Sequence, residues 1–418
     1  MKRKNQNLTD TEISAENTKN IKKGKKSRLS KKKKVVIIVL LALYAIILAA
    51  TALVVFYRPQ VEEKVRTYTE TVTDEHGNII TVEKQEKRLD GKYNILVLGR
   101  DRWAMLTDVF MLVNIDNNTH DITVMQIPRD TWISDNNEIS VPTNKINAVY
   151  ATYFNKFRGE GQDEDTAYYN ALLALSELLE DDLCIQIDYS AIMNLDGFVN
   201  IVDILGGVEM DVPFTMTYYD EAQNLSINIP AGHQTLNGAQ AEGFVRYRYG
   251  YAMADLARQD AQKTFLTALF SKVKSSVSIT NVSKLTELAN EIFSNLTTDM
   301  SAGDILYFAK SLLSCDMSSI QMMTMPGNLA NHYVVMNRAA TLDVINSYFN
   351  LYDNDISNSR FDRNGAFNNA YVYSMNEAYN KPADQITFGN IYSGDVIDEN
   401  GLIDSNGNQI NPGQNAGQ

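Results

Sequence analysis

The stretch YNILVLG, residues 93–99, is an almost entirely apolar run that ends at a glycine. Such a run is typical of a β-strand that is buried on both faces. Two further β-branched runs follow at Val109–Ile115 and Ile122–Ile127, with the turn residues Asp116–Thr119 between them. Because a short polar turn joins neighbouring strands, we predict that these two runs form an antiparallel pair.

The rest of the globular part alternates helical and extended patterns. Apolar periodicity and Gly or Pro breaks predict helices over Ala167–Leu179, Ala191–Leu205, Gly238–Arg248, Asp260–Ser275, 281–296, 301–314 and Ala339–Tyr352, and strands over Ile185–Tyr189, Val208–Val212 and Ile320–Met325. This mixture predicts an α/β domain over residues 93–352, a three-layer α-β-α sandwich around a mixed central sheet. Residues 353–418 are rich in Asn, Asp, Gly and Ser, which predicts a largely disordered polar tail.

The N-terminal part has the pattern of a membrane anchor. Residues 1–34 hold 13 basic and 3 acidic side chains, whereas the rest of the chain holds 25 basic and 48 acidic ones. The uncharged apolar run Val35–Phe56 lies between these two parts and is long enough to span a bilayer. We therefore predict a cytoplasmic tail over 1–34, a single transmembrane helix over 35–56 and an extracytoplasmic remainder in the cell membrane. The alternative, a cleaved signal peptide, fits the length of the run poorly.

The regions on either side of the anchor have simple roles. The basic tail would contact anionic lipid headgroups, and its lack of aromatic residues argues against binding to nucleic acid. Residues 57–92 would form an extracytoplasmic stalk. Within it, Val65–Lys84 alternates Thr with Val, Tyr and Ile around the turn residues 76–78, which predicts a β-hairpin.

The sequence lacks the motifs of a serine nucleophile elbow, of a phosphate-binding loop, and of a histidine-based triad or zinc site. It has no Gly-x-Ser-x-Gly elbow and no Gly-x-x-x-x-Gly-Lys loop, and its four histidines are scattered singly. Cys184 and Cys315 are the only cysteines, and they leave a disulfide and two buried thiols as open alternatives. Carboxylates and arginines remain, and these are the groups that carry phosphoryl transfer with a hard metal ion.

Two aspartates flank the loop between the first two predicted strands. Asp101 follows one strand and Asp108 precedes the next. Strands joined by such a loop can bring both carboxylates to one edge of the sheet, where they could hold Mg²⁺. The alternative is that both are ordinary loop or capping aspartates.

Arginines gather at two later positions. Arg129 leaves its strand at the same predicted edge, and its alternative role is a surface ion pair. A second cluster concentrates guanidinium groups, which bind phosphate oxygens in pairs, in an otherwise acidic domain. Its members are Arg246, Arg248, Asp255, Arg258 and Gln262. Its alternative role is a salt-bridged helix surface.

The order of these motifs resembles the LytR-CpsA-Psr family of Gram-positive cell-wall enzymes over roughly residues 92–275. The motifs are NILVLG (94–99), TD (107–108), IPRDT (127–131), KINAVY (145–150), DGFV (196–199), LGGVEMDVP (205–213), AGHQTLNG (231–238) and VRYR (245–248), followed by Asp255, Arg258 and Gln262. The resemblance implies an extracytoplasmic phosphotransferase. Such enzymes move a glycopolymer from a polyprenyl diphosphate carrier onto peptidoglycan through a phosphodiester.

The resemblance also implies roles for individual residues. Asp101 and Asp108 would bind Mg²⁺, with Mn²⁺ as the alternative ion, and Asp255 would support the arginines or help to activate the acceptor hydroxyl. The diphosphate would be held by Arg129, Arg246, Arg248, Arg258 and Gln262. Leu172–Leu179 and Phe265–Phe270 are candidates to line the family's apolar lipid tunnel, with ordinary core packing as the alternative.

The chain departs from the family pattern at two places. Leu106 stands where most members have an arginine that contacts phosphate, and Ala261-Gln262-Lys263 stands where they often have Arg-Gln-Gln. We expect either Arg100 or Arg102 to supply the missing charge, because both lie close by in the sequence. The leucine favours a second reading, a protein that binds polyprenyl-linked substrate or wall polymer without turnover. A diphosphatase, in which water replaces the sugar hydroxyl, is a third.

Overall fold

The computed structural model describes most of the chain beyond residue 57. The described residues are 58–59, 61, 65–102, 104–134, 139–221, 225–247, 254–276, 291–292, 294–315, 320–330, 333–361, 366–367, 397–398 and 401–402. The predicted cytoplasmic tail and transmembrane helix, residues 1–56, lie outside them, as does most of the predicted helix 281–296. Within the described ranges, no helix is both long and apolar enough to cross a membrane.

The described secondary structure is a mixture of strands and helices. The strands are β1 (Val65–Thr73), β2 (Ile79–Lys87), β3 (Lys92–Arg100), β4 (Thr107–Asp116), β5 (Asp121–Gln126), β6 (Tyr189–Asn194), β7 (Val208–Val212), β8 (Met216–Asp220), β9 (Leu225–Ile229), β10 (Gly232–Leu236), β11 (Leu296–Thr298), β12 (Ile320–Thr324), β13 (Gly327–Ala330), β14 (Tyr333–Met336), β15 (Ile397–Asp398) and β16 (Gly401–Leu402). The helices are α1 (Val149–Gly159), α2 (Glu164–Leu183), α3 (Leu195–Ile204), α4 (Gly238–Arg246), α5 (Ala254–Ser276), α6 (Ala302–Ser314) and α7 (Arg338–Val344).

Six strands form the central sheet, in the order β11-β6-β3-β4-β5-β12. The strand β4 is antiparallel to both β3 and β5, which confirms the predicted antiparallel pair. By contrast, β6 runs parallel to β3 and β12 runs parallel to β5. The sheet is therefore mixed, as the sequence predicts.

Helices cover both faces of this sheet. On one face, α1, α2 and α7 pack over buried sheet residues such as Phe110 and Met125. On the other face, Phe308 of α6 packs edge-on against Tyr93 and Tyr189 of the sheet. The alternating burial of the strands therefore gives the three layers that the sequence predicts.

A second apolar cluster lies beside the sandwich. It joins α3, α4 and α5 to the antiparallel pairs β7–β10 and β8–β9, with Val202, Phe244 and Phe265 at its centre. The predicted strand Val208–Val212 matches β7. Before it, Gly206 and Gly207 have φ angles of 81° and 85°, the left-handed region that glycine adopts readily. These glycines turn the chain from α3 into β7, as predicted.

The predicted strand at Ile185–Tyr189 is wrong in position, because the observed strand starts later in the chain. Cys184 ends α2 in the left-handed conformation, and the strand that pairs with β3 begins only at Tyr189. The following helix begins at Leu195 instead of the predicted Ala191, because the Asn194 side chain caps it by accepting from the Gly197 amide. An apolar run of this length does not by itself show where the strand starts.

The predicted hairpin in the stalk is confirmed as β1 and β2.

The prediction that residues 353–418 are largely disordered is wrong for the first part of this segment. Ile356, Phe361 and Phe367 are buried in the core with α1 and α2. Arg360 donates two hydrogen bonds to Glu86 of β2, and its guanidinium lies 3.7 Å from the ring centre of Tyr68. The segment therefore holds the hairpin against the domain.

The two cysteines are free thiols. Cys315 is buried in the cluster beneath α6, whereas Cys184 packs against the core on the opposite face of the sheet. Of the two alternatives left open by the sequence, the structure therefore favours free thiols over a disulfide.

Candidate active site

Asp108 and Arg129 form an ion pair at one edge of the sheet. The Ile127 amide donates to the Phe110 carbonyl, which extends the pairing of β4 and β5 by one step. Two residues further on, the same geometry brings Arg129 opposite Asp108, so that Nη1 donates to Oδ1 over 2.6 Å. The Arg129 side chain is 16% exposed and the Asp108 side chain 35%, so the pair is open to a ligand on one side.

Asp101 stands in the short loop between β3 and β4, at the same edge. Its amide donates to the Leu106 carbonyl over 2.9 Å, and its Oδ1 accepts from the Ala104 amide over 3.0 Å. Within this loop Met105 adopts a φ of 56°, which turns the chain into β4. Asp101 therefore caps the loop, as the alternative reading predicts, and its place at the edge also agrees with the metal-binding reading.

Arg246 is held by a carboxylate that the sequence analysis missed. Glu242, which is 7% exposed, accepts from Arg246 Nη1 over 2.6 Å within α4. The same carboxylate accepts two hydrogen bonds from Arg102, over 2.7 and 2.9 Å. Arg102 Nε also donates to Asp196 over 2.6 Å. These partners, Glu242 first, raise the pKa of Arg102 above its ordinary range.

Only one of the two contacts of Glu242 could be predicted from the sequence. The spacing of Glu242 and Arg246, four residues apart on a helix, was a visible signal for an ion pair. The contact of Glu242 with Arg102 joins residues 140 positions apart and had no local signal. It fastens the loop that carries Asp101 to the helix that carries Arg246.

Gln262 is buried between three elements. Its Oε1 accepts from Gln126 Nε2 over 2.7 Å at the end of β5, and its Nε2 donates to the Val245 carbonyl over 3.1 Å. Both ends of its amide are therefore engaged with the protein. Gln262 connects the last turn of α4, next to Arg246, with the strand that leads to Arg129.

The remaining cluster residues are described less fully. Arg248 lies outside the described residues. Asp255 and Arg258 both belong to α5, which begins at Ala254, six residues before the predicted start. Only their backbone is described, so the structure places them on a helix joined by Gln262 to this edge of the sheet.

Arg100 and Arg102 are the two residues expected to supply the positive charge that is missing at Leu106, and the structure distinguishes them. The three donating groups of Arg102, Nε, Nη1 and Nη2, each contact a carboxylate. The guanidinium of Arg100 instead lies 5.1 Å from the ring centre of Tyr168 in α2. Leu106 packs against the same apolar cluster as Tyr168.

The donor set at this edge fits Mg²⁺ bound together with a phosphate. The described residues contain no group of three or more His, Cys, Asp or Glu side chains able to hold a metal ion. Asp101 and Asp108 offer two carboxylates, and in the described part of the chain Asp108 Oδ2 makes no hydrogen bond. Since Mg²⁺ is commonly bound by one or two carboxylates, with water and phosphate oxygens completing its octahedron, the chemistry of these two side chains is compatible with that ion.

The two stretches expected to line a lipid tunnel lie in different clusters. Leu172 and Leu175 are fully buried beside the sheet in the core with α1, whereas Phe265 is fully buried in the cluster of α3 and α4. Ordinary core packing, the alternative reading, describes these residues.

The fold and the site together define a class of protein: an α/β sandwich whose sheet edge gathers arginines and aspartates from distant segments. The LytR_cpsA_psr family model matches residues 55–378, and the chain belongs to that family. The cell wall biosynthesis protein LcpA of Corynebacterium glutamicum is 31% identical over 53% of this chain and 43% of its own length. The polyisoprenyl-teichoic acid–peptidoglycan teichoic acid transferase TagV of Bacillus subtilis is 29% identical over 48% of each chain.

The chain thus spans less than half the length of these two relatives. Among solved structures, that of B. subtilis TagV is 24% identical, with a TM-score of 0.47, over 61% of this chain and 95% of that one. A LytR-Csp2A-Psr enzyme from Actinomyces oris is 21% identical, also with a TM-score of 0.47, over 70% and 97% of the two chains.

Proposed function

We propose that this protein is an extracytoplasmic, membrane-anchored phosphotransferase that moves a glycopolymer from a polyprenyl diphosphate carrier onto peptidoglycan. One observation carries the proposal. Arg129, Arg246 and the two aspartates 101 and 108 come from four separate segments, yet contacts through Glu242 and Gln262 bring those segments to one edge of the sheet. Names of relatives such as the teichoic acid transferase TagV support the same class of reaction.

The reaction needs little covalent chemistry from the protein. An acceptor hydroxyl oxygen of peptidoglycan attacks the phosphorus that carries the glycopolymer, and the bond from that phosphorus to the bridging oxygen breaks. The polyprenyl phosphate leaves with the bond electrons, and the hydroxyl proton passes to a base. The chain must therefore orient the two oxygens in line and neutralise charge on the phosphate oxygens.

The residues divide these tasks between them. Arg129 and Arg246 donate to the diphosphate oxygens, while Glu242 and Asp108 hold the two guanidinium groups in place before the substrate arrives. Mg²⁺, when bound by Asp101 and Asp108, supplies further neutralisation of the phosphate charge. Arg248 and Arg258 complete the diphosphate site, and Asp255 supports the arginines or accepts the hydroxyl proton. Gln262, which was expected to bind the diphosphate, instead connects α4 with the end of β5, because both ends of its buried amide contact the protein.

The membrane anchor has a physical reason in this scheme. The carrier is a lipid, and its diphosphate lies at the outer surface of the bilayer. The uncharged run at residues 35–56 would keep the domain beside its donor. The chain after residue 34 holds 48 acidic and 25 basic side chains, so local arginines and a cation are needed to attract an anionic substrate.

A second candidate function is a binding protein that retains the polyprenyl diphosphate or wall polymer without turnover. Two observations favour it. Leu106 offers no charge at the strand start, and Arg129 already occupies one oxygen of Asp108, a carboxylate that the transferase needs for its metal ion. A diphosphatase differs from the transferase only in taking water as the acceptor.

The full-length chain, purified in detergent micelles, tests the proposal. We expect it to release polyprenyl phosphate from a polyprenyl diphosphate oligosaccharide when Mg²⁺ and peptidoglycan are both present, with the glycan recovered on the peptidoglycan. A chelator should abolish the release. Retention of the donor without release would favour the binding protein, and release that does not require peptidoglycan would favour the diphosphatase.

A further inference from the structure

Arg100 differs from the other arginines described at this sheet edge. Arg102 and Arg246 contact Glu242, and Arg129 contacts Asp108, so each of these cations has a carboxylate within 4 Å. Arg100 makes neither an ion pair nor a hydrogen bond through its side chain to any residue that the structure describes. It is a half-buried cation that lacks an anion in this part of the protein.

The position of Arg100 is close to the two aspartates that are assigned to the metal ion. Arg100 is the last residue of β3, directly before Asp101, and its Cα pairs with that of Thr107 in β4. The register between β3 and β4 shifts at this point, which leaves Asp108 without a partner in the ladder. Arg100 is therefore next to Asp101 in the chain and lies across the ladder from the residue that precedes Asp108.

The side chain is positioned by an aromatic surface instead of a carboxylate. The guanidinium lies 5.1 Å from the ring centre of Tyr168, a distance typical of a cation–π contact. The hydroxyl of Tyr168 donates to Glu164, which therefore lies at the far end of the ring and forms no ion pair with Arg100. A contact with a ring face uses none of the N–H donors of the guanidinium, so they remain available to a ligand.

A second polar group at this place also lacks a partner. Thr107, opposite Arg100, is fully buried, and its Oγ1 has no hydrogen-bond partner within the described residues. Unpartnered polar atoms in a folded core are rare because they carry a desolvation penalty. Thr107 Oγ1 is itself inaccessible to a ligand, so the group that indicates a ligand is Arg100, a half-buried cation that lacks an anion among the described residues and lies next to the two aspartates.

We infer that Arg100 is a further phosphate-binding residue, which donates to the oxygens of the lipid-linked diphosphate from the side of the sheet covered by α2. This inference rests on the proposed function, because it assumes that the edge binds a diphosphate. It also assigns the role that Leu106 cannot fill to a cation on the neighbouring strand. Arg102, with its three donating groups on carboxylates, holds the loop in position instead.

The binding of geranylgeranyl diphosphate to the full-length chain in micelles, measured by calorimetry with Mg²⁺ present, tests the inference. We expect Arg100→Gln to weaken binding by about tenfold or more, because a charged hydrogen bond is lost. Arg100→Lys should weaken it less, since the charge remains. The matched control is Arg158→Gln, which removes the same charge from an exposed arginine that donates to the backbone of Gln162.

A double variant tests whether an arginine at position 106 can take over the role of Arg100. The double substitution Arg100→Gln with Leu106→Arg returns a guanidinium to the adjacent strand, and we expect it to recover much of the lost affinity. A thermal melt of each variant separates misfolding from lost binding. If Arg100→Gln fails to fold, Arg100→Lys carries the comparison, and affinity equal to that of the unaltered chain would contradict the inference.

The outcomes separate this inference from the proposed function. If Arg246→Gln loses binding while Arg100→Gln matches the Arg158→Gln control, the diphosphate site stands and the role of Arg100 is wrong. If the unaltered chain does not bind geranylgeranyl diphosphate at all, the proposed function itself fails.

Discussion

At the scale of single residues, the site consists of cations held in place by carboxylates. Asp108 holds Arg129, and Glu242 holds both Arg102 and Arg246. Each carboxylate costs the site some positive charge but fixes a guanidinium in one geometry before the substrate binds. This arrangement suits a reaction that depends on positioning more than on a strong nucleophile.

Burial also raises the pKa of a carboxyl group that lies away from the site. Glu180, in α2, accepts from the Ile187 amide over 2.6 Å, and burial raises its pKa to about 7. In the unfolded chain the same group ionises near its ordinary value of about 4.3. Between these values the folded state binds more protons than the unfolded state, so the stability from this group is lost as pH rises through the interval.

We predict that Glu180→Gln stabilises the protein at high pH only. The amide keeps an acceptor for the Ile187 amide but carries no charge to bury. The free energy of unfolding in urea should rise by about 2 kcal/mol near pH 8 and change little near pH 4. The exposed Glu177→Gln serves as the control, and an equal gain at both values of pH would contradict the argument.

At the scale of elements, strands with long apolar runs could be predicted from the sequence, whereas the joints between elements could not. The runs of β3, β4 and β5 are flanked by turn residues, so their bounds agree within two residues. The start of β6 could not be predicted, because Ile185–Tyr189 has the composition of a strand and only the pairing with β3 shows that the strand begins later. Local pattern does not report tertiary pairing.

The same limit applies to the site. The position of three residues at one sheet edge could be predicted, because Asp101, Asp108 and Arg129 each adjoin the end of a recognisable strand. Glu242 was missed because its contact with Arg102 links α4 to a loop far away in the chain. The hydrogen bonds of Gln262 to Gln126 and to the Val245 carbonyl could not be predicted either, although Gln262 itself was among the candidate site residues.

The segment after α7 gives an element-scale prediction. A chain that ends at Phe367 should unfold cooperatively at close to the melting temperature of the full chain. A chain that ends at Tyr352 should lose cooperative unfolding, because it lacks Phe361 and Phe367, which are both fully buried. Loss of a buried phenylalanine side chain costs about 3–5 kcal/mol, and a whole domain has only about 5–15 kcal/mol to lose.

Circular dichroism melts of the two truncated chains decide the matter. The shorter chain also lacks Arg360, so Glu86 would keep Arg66 as its remaining partner among those seen in the full structure. If both truncations melt like the full chain, the segment 353–367 is dispensable, and the boundary predicted at residue 352 is adequate.

At the scale of the whole molecule, the fold serves to join distant parts of the chain at one edge. The loop after β3, the start of β4, the end of β5 and the end of α4 meet there through the contacts of Glu242 and Gln262. The hairpin β1–β2 is fastened to the opposite stretch of chain around Arg360, which makes the stalk part of the domain.

A structure of the full-length chain with geranylgeranyl diphosphate and Mg²⁺ measures the central claim most directly. We predict that the diphosphate oxygens lie within hydrogen-bonding distance of Arg129 and Arg246. We further predict that Mg²⁺ lies about 2.1 Å from carboxylate oxygens of Asp101 and Asp108. A diphosphate bound on another face of the domain, with these four side chains contacting only one another, would contradict the account.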